Sequence, residues 1–253
     1  MKMNLRRQNI GAWQIWSTDP YHEDLRRMLA RYSPAEGLVG RQDGEDDLKV
    51  AKLHAGGRAD VYSVHVGGRG YCVKLFHGHQ LQDKLRSLAG CSKARRAFHN
   101  GLKTSRAGVP TPAVYGFAGK KPFGPDLLVM ELIETAVQLN LWIEASRVQS
   151  DDLHGGPLFT VMIDALAHFA AEMCNKGVGH KDFSPRNLLI RIKQNQVEFT
   201  VIDLEDLYFS ADPAKLRSVI EHFHKKMERY LSPRDLNFYL QRFGEEYQRG
   251  LTR

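Results

Sequence analysis

Cysteine is scarce in this chain: Cys72, Cys91 and Cys174 are the three among 253 residues. They have neither C-x-x-C spacing nor a His companion at metal-ligand spacing, which excludes a disulfide scaffold and a zinc-ribbon reading and fits a reduced, cytoplasmic setting. Long apolar runs are missing as well. Nowhere do about eighteen apolar residues stand together, and the opening MKMNLRRQNIGAWQIWSTDP is basic without an apolar core of signal-peptide length. The chain is therefore expected inside the cell, with peripheral contact to a membrane face still open to it. There is no internal repeat and no low-complexity tract.

What is present is globular. Hydrophobic residues make up 42% and charged residues 26%, ordinary usage for a folded domain, and the length suits one domain or two lobes sharing a cleft. Against 29 Asp and Glu stand 36 Lys and Arg, a net charge of +7 and a pI near 9.3. Such a surface favours anionic partners: nucleotides, phosphorylated glycolipids, anionic membranes or nucleic acid.

Three regions follow from the local pattern. Residues 1–45 read as an N-terminal extension in which Trp13 and Trp16 sit in a short apolar patch, HEDLRRMLARY forms a basic helix and SPAEGLVGRQDGEDD is loop. Residues 46–133 read as a small lobe. LKVAKLH, ADVYSVHV and GYCVKLF are strands, GGRG is a hairpin turn between the last two, CSKARRAFHNGLKTSRAG is a basic helix, and VPTPAVYGF leads to the strand DLLVMELI. Residues 134–253 are mainly helical. LFTVMIDALAHFAAEMCNKG carries an apolar helical stripe ending at Gly177, LLIRI and VEFTVID form a hairpin around KQNQ, and two more helices open at Pro213 and after Ser232-Pro233. The fold class is α+β.

The chemistry concentrates in GHKDFSPRNLLI, where His180, Asp182 and Asn187 stand at H-x-D-x-x-x-x-N spacing before a strand. Asp203 in VIDLED ends the hairpin that this strand begins. A hairpin returns its end to its start, so Asn187 and Asp203 are expected close together, able to hold a divalent ion through oxygen as Mg²⁺ prefers. Asp182 is then left to accept or orient a hydroxyl proton, and His180 braces the loop. Lys74 in YCVKLF is a lysine inside an apolar strand; it either faces solvent or holds phosphate oxygens across the cleft. For the loop, the alternative is a turn capped by Asp182, Ser184 and Asn187.

HKDFSPRN, VIDLED and the upstream VK together resemble the catalytic core of the protein-kinase-like fold, over roughly Leu48 to Tyr208. Within it, KARRAFHNGLKTSRAGVPTPAVYGF is similar to the segment of the bacterial lipopolysaccharide core kinases that runs into a G-[IV]-P-T-P signature. The resemblance implies a two-lobed kinase that uses ATP and Mg²⁺ to phosphorylate a heptose or 3-deoxy-manno-octulosonic acid of the inner core, from the cytoplasmic side of the inner membrane. Nucleic acid is not expected among its partners. It implies Asp182 as catalytic aspartate, Asn187 and Asp203 as metal ligands and Lys74 as phosphate-binding lysine. Gly56 and Gly57 fall where a glycine-rich loop covers the nucleotide, and the backbone from Glu131 to Ile133 is the adenine hinge.

The chain departs from the wider kinase pattern in several places. Ser184 stands where a protein kinase has lysine, which argues against a protein substrate. Leu204 and Glu205 replace the Phe and Gly of D-F-G, and the glycines at 56 and 57 do not fit G-x-G-x-x-G. No Glu lies between Lys74 and Val109 to pair with the lysine, Asp83 being the one acid of that interval. Two other readings stay open at this point. One is a pseudokinase-like binding module on an anionic membrane face, met by Arg95, Arg96, Lys103 and Arg106. The other is a small-molecule kinase of the aminoglycoside phosphotransferase type, although that loop usually has Gly where this chain has Lys181.

Overall fold

The computed structural model describes residues 5–33, 35–39, 48–77, 92–120, 124–148, 156–194 and 196–252. Asp83 and Cys91 lie outside the described residues. The chain divides into two compact units, Met1–Leu102 with Pro112–Ile133, and Lys103–Thr111 with Glu134–Arg253.

In the first unit, strands β1 (Leu5–Ile10) and β2 (Trp13–Thr18) lead to helix α1 (His22–Leu29) and a short pair, β3 (Tyr32–Ser33) and β4 (Gly37–Leu38). Strands β5 (Lys49–Ala55), β6 (Ala59–Val66) and β7 (Arg69–Phe76) come next, and β8 (Val114–Lys120) and β9 (Asp126–Glu131) complete a seven-stranded antiparallel sheet in the order β1-β2-β8-β9-β7-β6-β5. The β6 to β7 turn is Gly67-Gly68, both with positive φ (59° and 73°). A two-residue hairpin turn demands that conformation, and glycine adopts it without a Cβ clash. Along β6 the alternation is plain, with Tyr62, Val64 and Val66 buried between more exposed neighbours.

The region read as an extension supplies the far edge of this sheet. β2 pairs with β8, Trp13 opposite Lys120 and Ser17 opposite Gly116, and α1 adds Leu25, Met28 and Leu29 to a core that includes Trp13, Ile15, Tyr62, Tyr71 and Val129. Trp16 stacks on Phe117 at 4.8 Å between ring centroids. The edge strand β1, with the polar residues Arg6 to Asn9 exposed, carries no apolar alternation, so its sequence gives no strand signal.

Helix α2 (Lys93–Arg106) runs through the unit boundary. The second unit then contains β10 (Val137–Gln138), α3 (Leu139–Val148), α4 (Pro157–Asn175), β11 (Val178–His180), β12 (Leu188–Lys193), β13 (Gln196–Val201), β14 (Leu207–Phe209), α5 (Pro213–Met227) and α6 (Pro233–Leu251). Two small sheets, β10-β12-β13 and β11-β14, lie among the helices. By length and composition α4 could cross a membrane, but half of that stretch is buried within the unit. Its polar groups are paired with α6, Asp164 with Arg242 at 2.5 Å and His168 with Glu246 at 3.2 Å. A core helix explains both features. The two helices also approach at Gly250, where a Cβ would collide with the Asn175 side chain.

Asp212 and Ser232 cap α5 and α6 by accepting the amides of Ala214 and Asp235, each ahead of a proline; such caps contribute about 1 kcal/mol. Between these helices an aromatic cluster forms: Phe223, His224, Tyr239 and Phe243 have ring centroids 5.2 to 6.4 Å apart. Burial pushes the Cys72 thiol up to about 11 and the Cys174 thiol up to about 12, so these two cysteines, both free, stay as inert thiols.

Burial also pushes His224 down to about 4 from 6.5. The unfolded chain thus takes up a proton first as the solution is acidified, and the neutral ring's stabilisation, complete above pH 6.5, is lost as pH falls toward 4. Urea midpoints measured between pH 7.5 and 4.5 should fall more steeply for the wild type than for His224→Leu; equal slopes would contradict this.

Candidate functional site

Strand β11 ends at His180, and the following loop reaches β12 through a single 3-10 turn, Pro185–Asn187. His180 is fully buried. Its Nδ1 accepts the Asp182 N–H at 3.1 Å, so Nε2–H is the donor to the Ile202 carbonyl at 3.0 Å. Burial holds its pKa below the ordinary histidine value, outweighing the nearby carboxylates. A neutral ring with both nitrogens occupied is a brace, as the sequence suggested.

Asn187 ties the loop together. Its Nδ2 donates to the Asp182 carbonyl at 2.8 Å, its backbone N–H donates to Ser184 at 2.9 Å, and its own carbonyl accepts the Ile202 N–H at 3.0 Å. Ile202 is therefore gripped at both backbone groups by the loop. The preceding residue is gripped likewise: the Val201 N–H donates to the Pro110 carbonyl at 3.1 Å, and its carbonyl accepts the Thr111 hydroxyl at 3.3 Å. Both residues lead into Asp203, which has φ +61°. For a non-glycine residue that conformation costs on the order of 1 kcal/mol and persists where the surroundings over-determine it.

The β12 to β13 register pairs Leu188 with Val201, so Asn187 and Asp203 stand at the same end of the hairpin. Among the described residues no group of three His, Cys, Asp or Glu could hold a metal ion. The pair Asn187 and Asp203 is a different donor set, an amide oxygen and a carboxylate. Because Nδ2 of Asn187 is committed to Asp182, its Oδ1 is the atom left for a cation, and two such oxygen donors fit Mg²⁺ when phosphates and water complete the shell. Asp182 itself is exposed, and the Lys226 ammonium on α5 lies 2.5 Å from its Oδ1.

The remaining expected residues lie in the first unit. Lys74 is in the middle of β7, opposite Val61 and Leu128, and is only 8% exposed. The solvent-facing alternative is thereby excluded. Its Nζ lies 5.3 Å from the Phe76 ring centroid. Gly56 and Gly57 form the turn between β5 and β6. A Cβ at Gly56 would come within 2.9 Å of the Ala59 carbonyl, whereas one at Gly57 would meet nothing within 4 Å. Asp60 holds this turn, accepting the Gly56 N–H at 3.2 Å, Lys52 Nζ at 3.0 Å and the Tyr62 hydroxyl at 3.2 Å. Burial raises the Asp60 pKa, but these donors and His77 outweigh it and keep the carboxyl below its usual value. Glu131 ends β9 with its N–H donated to Ala113 at 2.8 Å and its carboxylate accepting the Ala113 N–H at 3.1 Å. Ile133 is the last residue of this unit.

Sequence reasoning missed Pro110, Thr111 and Lys226. The first two lay inside a recognised signature without a role, and nothing local marks Lys226, whose partner is 44 residues away. Thr111→Val removes the hydroxyl that binds Val201, at nearly constant shape; urea unfolding should show a loss of about 1 kcal/mol, and an unchanged midpoint would count against the clamp.

The family profile described as Lipopolysaccharide kinase (Kdo/WaaP) family matches residues 42–237. That span includes Lys74, Thr111, Asp182, Asn187, Asp203 and Lys226. A solved structure described as WaaP in complex with acyl carrier protein is similar with a TM-score of 0.56 and 20% identity, over 78% of this chain and 79% of that one. At this identity the likeness concerns the fold. No match was found among curated proteins. The α+β architecture and a profile match covering most of its length lead to one assignment: the chain belongs to the lipopolysaccharide kinase (Kdo/WaaP) family and is a phosphotransferase with a core-sugar alcohol group as acceptor.

Proposed function

We propose that the chain phosphorylates a sugar hydroxyl of the lipopolysaccharide inner core with ATP as donor and Mg²⁺ as metal, working in the cytoplasm. The observation that carries this reading is the convergence of Asp182, Asn187 and Asp203 on one hairpin end, held by hydrogen bonds to the backbone of residues 201 and 202. A capped turn needs no second clamp from Pro110 and Thr111. Family membership favours this reading over a non-catalytic module or an aminoglycoside-type kinase.

In the reaction, the Asp182 carboxylate accepts the proton of the sugar hydroxyl. The oxygen so released forms a bond to the γ-phosphorus while the bond from that phosphorus to the bridging oxygen breaks and ADP leaves with the electron pair. Asn187 Oδ1 and the Asp203 carboxylate would hold Mg²⁺, which would supply positive charge to phosphate oxygens. Lys74 binds phosphate oxygens too, and its burial strengthens its field. The open backbone at Gly57 lets the turn approach the phosphates, and the Glu131 to Ile133 backbone receives the adenine. Because the Glu131 N–H is already donated to Ala113, the Glu131 backbone group left for adenine is its carbonyl, which accepts from an adenine N–H. Arg95, Lys103 and Arg106 on α2 are exposed, with Arg96 half-buried beside them, and this basic face supports peripheral contact with anionic headgroups or with the phosphorylated core.

Asp182→Asn and Asp203→Asn should each lower kcat for ATP-dependent phosphorylation of core sugar by about 10²- to 10⁴-fold while thermal unfolding stays near the wild-type midpoint. Mass spectrometry of lipopolysaccharide from cells carrying either variant should show one phosphate fewer on the core. Full transfer by both variants would sink the assignment. Lys74→Met should raise the KM for ATP or lower kcat without changing acceptor binding, measured by initial rates over a matrix of both substrates.

A further inference from the structure

We propose that Lys226 is a positioning residue of the catalytic loop, supplying from helix α5 the cation that a protein kinase carries two residues after its aspartate; the inference rests on Asp182 being the catalytic carboxylate. The corresponding position here is Ser184, a buried hydroxyl without charge. The loop nevertheless has an ammonium on it. Lys226 Nζ donates to Asp182 Oδ1 at 2.5 Å and to the Phe183 carbonyl at 3.2 Å, and so joins the reacting side chain to the backbone next to it.

The plain alternative is an ordinary surface ion pair. Asp182 is 63% exposed and Lys226 31%, and exposed pairs of that kind contribute little to stability. Stability is therefore a poor reason for the contact. What sets it apart is how the lysine is delivered. Phe223, three residues earlier on the same face of α5, is fully buried and stacks on Phe183 with centroids 4.3 Å apart. Phe183 is buried as well, and Phe223 in turn meets Tyr239 of α6. The register of α5 against the loop is thus fixed by a ring pair adjacent to Asp182, and Lys226 arrives with little freedom left to lose. Lys226 also makes two bonds to two loop residues, where a casual pair makes one.

An ammonium has three N–H donors. Two are used, one on the carboxylate and one on the carbonyl, so the ammonium ties the reacting side chain to the loop backbone at two points. With Oδ1 engaged, Oδ2 of Asp182 is the oxygen that accepts the hydroxyl proton. Lys226 therefore fixes the carboxylate rotamer before the sugar arrives, which serves the near-attack geometry that such reactions depend on.

The test compares Lys226→Met, Lys226→Arg and the exposed neighbour Lys225→Met with wild type, using ATP, Mg²⁺ and a core acceptor lacking the phosphate. K226M should lower kcat by about 100-fold and leave both KM values within about threefold. K226R, which keeps charge and donors, should recover at least about a tenth of the wild-type kcat, and K225M should behave as wild type. If K226M melts well below wild type, K226Q is read in its place, with K226R as the rescue. Wild-type kcat in K226M or K226Q overturns the proposal, as does a loss confined to KM or a K226R no better than K226M. Asp182→Asn run alongside separates the two ideas. Inactive D182N with fully active K226M removes only the role of Lys226, whereas active D182N removes the catalytic reading of the loop itself.

Discussion

Everything at the site depends on how two consecutive backbone units, Val201 and Ile202, are held. Four hydrogen bonds account for their N–H and carbonyl groups outside the β12 to β13 ladder: Pro110 and Thr111 take the first residue, Asn187 and His180 the second. Strand β13 ends there, and Asp203 follows in a left-handed conformation that few residue types accept. Release of this clamp would free Asp203 to relax, and the pair of oxygen donors it makes with Asn187 would be lost.

The same constraint accounts for residues that otherwise look unrelated. The prolines of the P-T-P segment cannot donate to a ladder, and the segment uses a carbonyl and a hydroxyl to grip a strand end instead. His180 is buried with its ring bridging the amide of Asp182 and the carbonyl of Ile202, and burial holds its pKa below the ordinary histidine value. Asn187 orders the loop through its nitrogen, which donates to the Asp182 carbonyl. These hydrogen bonds occupy the loop's polar groups, which is why they are tolerated immediately before the apolar strand Leu188–Lys193.

In the first unit the corresponding economy is at Asp60. One carboxylate accepts from the Gly56 amide, Lys52 and Tyr62 and so sets the turn that carries Gly56 and Gly57, without the usual glycine pattern. A sequence search for G-x-G-x-x-G finds nothing here, because the turn is shaped by a side chain at its far end and only one glycine is sterically required.

Much of the fold was legible in the chain. Alternation marked β6 and β7, two glycines marked their turn, an apolar stripe marked α4, and prolines marked the starts of α5 and α6, since these are local effects of backbone sterics and side-chain period. The motifs around Lys74, Asp182, Asn187 and Asp203 carried the resemblance to the kinase family for the same reason: each is a short stretch readable in the local sequence. Tertiary structure alone decided that β1 and β2 join the sheet, that Lys74 is buried, that Pro110 and Thr111 grip Val201, and that Lys226 meets Asp182. Those contacts join residues distant in sequence, and periodicity carries no information about which distant partner a buried or charged side chain will find.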